Sequence, residues 1–188
     1  MLAFAAALLT KVPMRISEAM ALEFGKTLHD HGSGRIRQVI IDLPEDVVKN
    51  GVPRRTKLGP RLVALLDIYM ALIRKPLAQS GNAFWFPATA GMARSPDHMS
   101  QSLAAWTTKH VIRMTAHQWR HVVGYIYLLE HPGCYDTVRR FLGHRSVTTT
   151  IEYYAFVLED DANASLDDTI DDLTDRPPHG RRPPKQRR

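Results

Sequence analysis

A single β-branched stretch, in a chain otherwise written in helical periodicity, sets what this sequence can fold into. Val39-Ile40-Ile41 and then Val47-Val48 have strand composition, and Asn50-Gly51 is among the strongest short turn signals. These residues predict a small antiparallel sheet over about 36–58. Lys49 then lies just before the turn, with Arg54-Arg55-Thr56 on the returning strand. Around it the apolar residues recur at helical spacing, so the fold class is α+β and predominantly helical.

Helix punctuation is clear at several points. Residues 2–10 and 16–24 have helical composition, with Pro13 breaking the pattern and leaving Arg15 at the mouth of the second helix. Pro60 opens a helix whose apolar face reads Leu62, Leu65, Leu66, Tyr69, Leu72 and Ile73. Residues 75–97 are loop-rich apart from Phe84-Trp85-Phe86, and Ser95-Pro96-Asp97 starts a helix running to about 107. Thr115 or a neighbour is placed to cap a helix carrying His117, Arg120 and His121, which Pro132-Gly133 ends. Its later turns are apolar on nearly every side, which predicts a central, buried helix. A short helix over 135–142 stops at Gly143, and Ser146 caps the helix that bears Tyr153 and Tyr154.

The 188 residues allow one ordinary domain plus tails, and a hydrophobic fraction of 44% is enough to build a core. A formal charge of +6 favours a polyanionic partner, nucleic acid before a membrane surface. Cys134 is the single cysteine, so no internal disulfide forms, and no zinc-type Cys/His spacing occurs. Leu2–Leu9 lacks the basic flank and cleavage site of a signal peptide and reads as a buried helix. No apolar run approaches the roughly 20 residues needed to span a bilayer. The expected setting is cytoplasmic and nucleoid-associated.

The chemistry-bearing residues lie mostly in the last third. His117 and Arg120, three apart, share one face of a helical turn. His144 follows a glycine, and Tyr153 comes nine positions later. Cationic and proton-carrying groups around a phenol suit attack on a phosphodiester. Each residue also has an ordinary structural role open to it: Arg15 as a surface arginine, Lys49 as hairpin decoration, His144 as a cap and Tyr153 in the core.

Taken together and in order, the motifs resemble those of the tyrosine recombinases, the phage-integrase family. They are Arg15-Ile16-Ser17-Glu18, Lys49, His117-Gln118-Trp119-Arg120-His121, Leu142-Gly143-His144 and Tyr153, with Gly143–Tyr153 the most specific run. The resemblance covers about residues 2–157 and implies a recombinase-like catalytic domain with a small antiparallel sheet. It implies that Arg15 and Arg120 clamp the scissile phosphate of double-stranded DNA and that Lys49 protonates the leaving oxygen. His117 would then assist proton transfer, His144 hydrogen-bond the phosphate, and Tyr153 attack to form a 3′-phosphotyrosine. That chemistry needs no cofactor and no metal. A mobile-element origin and self-association on DNA follow from the same resemblance.

The sequence departs from the family pattern in two places. Pro13-Met14 stands where Gly-Leu or Gly-Met is usual. With only fourteen residues ahead of Arg15, the separate helical DNA-clamping domain is expected to be absent. Two other readings therefore stay open: an integrase remnant that binds DNA without productive recombination, and a nuclease or RNA-modifying enzyme using His117 and Arg120 but not Tyr153. Beyond residue 157 the acidic segment 158–175 has Leu158, Leu166, Ile170 and Leu173 at roughly helical spacing. It is expected to form a helix that docks on a neighbouring copy, ahead of a disordered basic tail over 176–188.

Overall fold

The computed structural model of the chain describes residues 1–78, 81–110, 112–155 and Ile170. In order, its elements are α1 (Leu2–Lys11), α2 (Ile16–Met20), β1 (Leu28–His31), β2 (Gln38–Leu43), β3 (Arg54–Lys57) and α3 (Pro60–Tyr69). A π-helical turn (Met70–Arg74) leads into α4 (Lys75–Leu77), followed by α5 (Pro96–His110), α6 (Ala116–Glu130), α7 (Tyr135–Leu142) and α8 (147–155). Among the described residues the fold is mostly helical with one three-stranded antiparallel sheet in the order β1-β2-β3, the class the sequence predicts.

The alanine- and leucine-rich start is a core helix. Phe4, Ala5, Ala6, Leu8 and Leu9 are buried, and α1 packs on α3, α5 and α6. Small side chains at 5 and 6 let the neighbours approach, while Phe4 stacks on Tyr69 at 4.5 Å beside Trp85 and Phe86. Each fully buried Leu or Phe contributes about 1.5–3 kcal/mol. Tyr69 satisfies its hydroxyl by donating to the Trp85 carbonyl at 2.8 Å.

The structure corrects the sequence reading in five places. First, β1 lies upstream of the expected sheet. Leu28-His29-Asp30-His31 has weak strand propensity and is held by pairing, with Leu28 opposite Ile41. Second, Val47-Val48 is a turn, its two amides both donating to the Pro44 carbonyl at 3.1 and 3.3 Å. Third, the helix expected over 16–24 stops at Met20 because the chain then bonds to residues 83–85: Trp85 N donates to Leu22 O and Phe24 N to Ala83 O. Fourth, α3 buries Leu62, Leu66 and Tyr69 but leaves Leu65 exposed, and Leu72 in the π-helical turn is exposed as well. Finally, α6 is buried only along Ala116, Arg120, Gly124 and Leu128, with Val122, Ile126 and Leu129 exposed. A helix with an arginine and a glycine on its inward face presents much of its apolar surface elsewhere, so α1 holds the centre instead.

Residues 158–175 and 176–188, expected as an acidic helix and a disordered tail, lie outside the described residues except for Ile170, which is exposed.

Candidate active site

Arg15 is the N-cap of α2, where its backbone N–H donates to Glu18 Oε2 at 2.8 Å and its guanidinium Nη1 to Glu18 Oε1 at 2.9 Å. Glu18 is 1% exposed and also receives a hydrogen bond from Arg54 on β3, which spends another donor on the Phe141 carbonyl at 2.9 Å. A carboxylate taken this far out of water is tolerable only with such partners. Burial lowers the Arg54 pKa, and Glu18 opposes the shift.

Arg120 is 3% exposed and reaches across the core, donating to the Pro13 carbonyl at 3.3 Å and to the Leu142 carbonyl. It thereby joins the segment entering α2 to the end of α7. Burial first, then the Arg15 and Arg54 charges, push its pKa down to about 10, so it remains cationic at neutral pH. Arg15, Arg54 and Arg120 share one carboxylate, Glu18, which leaves two positive charges in excess (three guanidiniums less one carboxylate).

His144 follows Gly143, whose φ of 62° is the left-handed conformation that closes α7. Its Nδ1 bonds Thr150 Oγ1 at 2.9 Å. Burial, then Arg120, Arg15 and His117, depress its pKa to about 4.

Thr115 and Gln118 form a capping box, with Gln118 N donating to Thr115 Oγ1 at 3.2 Å, and this sets His117 in the first turn of α6. His117 Nε2 lies 3.1 Å from His121 Nε2. The His121 ring stacks on Tyr153 at 4.5 Å with planes 15° apart, and its Nδ1 is 3.3 Å from Tyr154 Oη. Tyr154 Oη donates to the His121 carbonyl at 3.1 Å. Every partner is satisfied when neutral His121 carries its proton on Nδ1 and accepts at Nε2 from His117.

The two adjacent tyrosines are treated oppositely. Tyr154 is 2% exposed, and burial raises its pKa to about 12. It fits only because residue 124 is glycine: a Cβ there would stand 2.4 Å from Tyr154 Oη. Tyr153 is 52% exposed and lines, with His117, His121 and Val122, a groove of about 640 Å³. The His144 and Tyr153 rings are 6.4 Å apart.

Of the six residues singled out from sequence, the structure thus gathers His117, His144 and Tyr153 around His121, with Arg120 and Arg15 at their side. Lys49 stands apart, exposed in the β2–β3 connection, with no hydrogen bond or ion pair among the described residues. Its neighbour Asn50 bonds Arg15, Gly143 and Arg145. The sequence reading had not assigned Glu18, Asn50, Arg54 or His121 to the site. Glu18 carried a local signal, the capping-box spacing to Arg15; Arg54 and Asn50 had none, because their partners are distant in the chain. Among the described residues no group of three or more His, Cys, Asp or Glu side chains is placed to hold a metal ion, and no helix is long and apolar enough to cross a membrane.

The phage integrase family model matches residues 2–159, nearly the whole described chain. The protein belongs to the phage integrase family. Its integrase fold is similar to that of XerH site-specific recombinase bound to palindromic difH substrate in a post-cleavage complex. That similarity has a TM-score of 0.65 at 19% identity, covering 86% of this chain and 44% of that one. The Tn1549 transposon integrase in complex with transposon right end DNA gives 0.58 at 18% identity, covering 87% and 57%. XerA recombinase gives 0.55 at 20%, covering 78% and 50%. These integrase-family neighbours are alike in fold, and the present chain spans between 44% and 57% of their length. No curated protein matches the sequence.

Proposed function

We propose that this protein binds double-stranded DNA and cleaves and rejoins a strand through a 3′-phosphotyrosine, as a site-specific recombinase, with Tyr153 as nucleophile. The observation that carries this reading is the contrast between the two tyrosines. Tyr153 is open to the groove against His121, while Tyr154 is buried with its hydroxyl committed to the His121 carbonyl. Adjacent helical positions point about 100° apart, so one phenol alone can meet a phosphate.

Tyr153 Oη attacks the scissile phosphorus, the P–O5′ bond breaks, and the 5′ oxygen leaves as a hydroxyl with a proton from Lys49. Reversal, with a 5′-hydroxyl from another strand, reseals the backbone and regenerates the phenol. A pentavalent phosphate concentrates negative charge on its nonbridging oxygens, and preorganised cations stabilise it most. Two positive charges in excess at Arg15, Arg54, Arg120 and Glu18 suit that demand. Arg15 and Arg120 bind the phosphate oxygens, His117 helps the phenol lose its proton, and His144 donates a hydrogen bond. Lys49 must swing in from its exposed turn.

The test is covalent trapping on a nicked suicide duplex, followed by peptide mapping. DNA on Tyr153 is expected, with no product from Tyr153→Phe and cleavage that survives EDTA. DNA linked to Tyr154, or activity lost to chelation and restored by magnesium, contradicts the mechanism. DNA binding with no covalent product leaves the binding-only alternative.

A further inference from the structure

Lys49 is unattached, yet the residue beside it is held on three sides. Asn50 Oδ1 accepts from Arg15 Nη1 at 3.2 Å, and Asn50 Nδ2 donates to the Gly143 carbonyl. The Asn50 carbonyl accepts from Arg145 Nε at 2.8 Å. The orientation of the amide follows from these partners, since a flip would set carbonyl against carbonyl and NH2 against guanidinium. Immediately afterwards Gly51, at φ +65°, turns the chain and donates its N–H to the Val48 carbonyl at 3.1 Å. Lys49 is therefore the exposed middle of a turn whose next residue is pinned to Arg15 and to the loop bearing His144.

We propose that Asn50 is a positioning residue, a latch that seats the Lys49 turn against Arg15 and the Gly143-His144-Arg145 loop. The proton donor and the phosphate-binding groups then come into register together. The inference rests on the assignment of Lys49 as general acid above. Its physical basis is the length of the free segment. The β2–β3 connection covers residues 44–53, and a flexible lysine at its exposed edge delivers a proton efficiently only if its backbone is fixed. Asn50 supplies that fixation without touching the phosphate. The amide suits this place because it both donates and accepts: Asp would keep the Arg15 contact and lose the donor to Gly143, and Ala would lose both.

The experiment uses the full chain on nicked duplexes with either the normal scissile phosphate or a 5′-bridging sulfur, a leaving group that needs little protonation. Asn50→Ala is expected to slow covalent-complex formation on the normal duplex by on the order of 10–10²-fold, the scale of a misplaced catalytic group. DNA affinity should change by less than about twofold, because Asn50 itself makes no phosphate contact and every phosphate-binding cation is kept. Sulfur should restore most of the loss, and Asn50→Asp should behave as Asn50→Ala does. Where sulfur rescues Lys49→Ala, equal loss from Asn50→Ala on both duplexes, or no loss, overturns the latch. Lys49→Ala is the control for the underlying assignment: if sulfur fails to rescue it, the general-acid reading falls. The latch is then decided without activity, by amide hydrogen exchange on the free chain. Asn50→Ala should speed exchange of residues 47–51 and 143–145 together by about two- to tenfold or more, since each of the two lost side-chain hydrogen bonds contributes on that scale. Faster exchange at 47–51 alone, or at neither, overturns it.

Discussion

His144 and His121 show how single residues are tuned by their surroundings. Burial leads the causes for both, followed by neighbouring imidazoles and guanidiniums, and each is held near a pKa of about 4. Both are therefore neutral at pH 7 in the free fold, whereas the unfolded chain protonates histidine near 6.5. A folded value lowered below the unfolded one gives stability that is complete above pH 6.5 and lost as pH falls toward about 4. His144→Asn, whose amide can still bond Thr150, should flatten the fall of Tm with pH across that window. An unchanged slope would count against the shift. A phosphate beside His144 reverses the balance by favouring the imidazolium, so DNA binding should take up protons and tighten as pH falls from 7. Calorimetric titrations in buffers of different ionisation enthalpy measure that uptake directly.

At the scale of elements, the outcome turns on how α2, β3, α6, α7 and α8 are held together. Glu18 joins α2 to β3 through Arg54, and Arg54 reaches on to the end of α7. Glu18→Gln leaves the Arg54 and Arg15 guanidiniums without their counter-charge and should cost about 3–5 kcal/mol, the usual result of removing one partner from a buried pair. Urea denaturation reads this directly, and a loss below about 1 kcal/mol would place the pair among weak surface bridges. Gly124 performs the matching task between α6 and α8. The added methyl of Gly124→Ala collides with the Tyr154 ring. Tyr154 must then leave its seat, at about 1–3 kcal/mol for an overpacked site, and the helix carrying Tyr153 shifts with it. Tm and covalent trapping should both fall; normal trapping at reduced Tm would show that α8 positions Tyr153 without help from Tyr154.

For the molecule as a whole, the open question is what covers the groove beside Tyr153. Ile112 and Val122 are exposed on its wall beside Arg113, and Ile126 and Leu129 are exposed further along α6. Isolated surface leucines are ordinary, but a contiguous apolar face marks an interaction site. The acidic segment 158–175 lies outside the described residues except for Ile170, and its sequence combines a sparse apolar stripe with carboxylates, the chemistry that an apolar groove edged by Arg113 would accept. Docking onto a second copy assembled on DNA is the expected use. Truncation after Val157 should leave single-site binding near normal and abolish higher-order complexes on paired sites in gel-shift titrations. Unchanged assembly would refute it.

Most of the helices, several of their caps and the motifs that carry the six candidate residues were legible in the sequence because each signal is local. Pro60 at a first turn, Thr115 three residues before Gln118 and Gly143 in left-handed backbone act within a few residues of chain. The ordered family motifs were legible for the same reason. What was not legible depends on partners far along the chain. β1 exists because β2 pairs with it, and Arg120 is buried because Pro13 and Leu142 offer carbonyls 107 and 22 residues away. The face that α6 hides was decided by α1, α7 and Tyr154 together, and the separation of Tyr153 from Tyr154 by Gly124 and His121. Local periodicity states that a helix has an apolar side; only the packing of the other helices determines which side meets the core and which is left to bind something else.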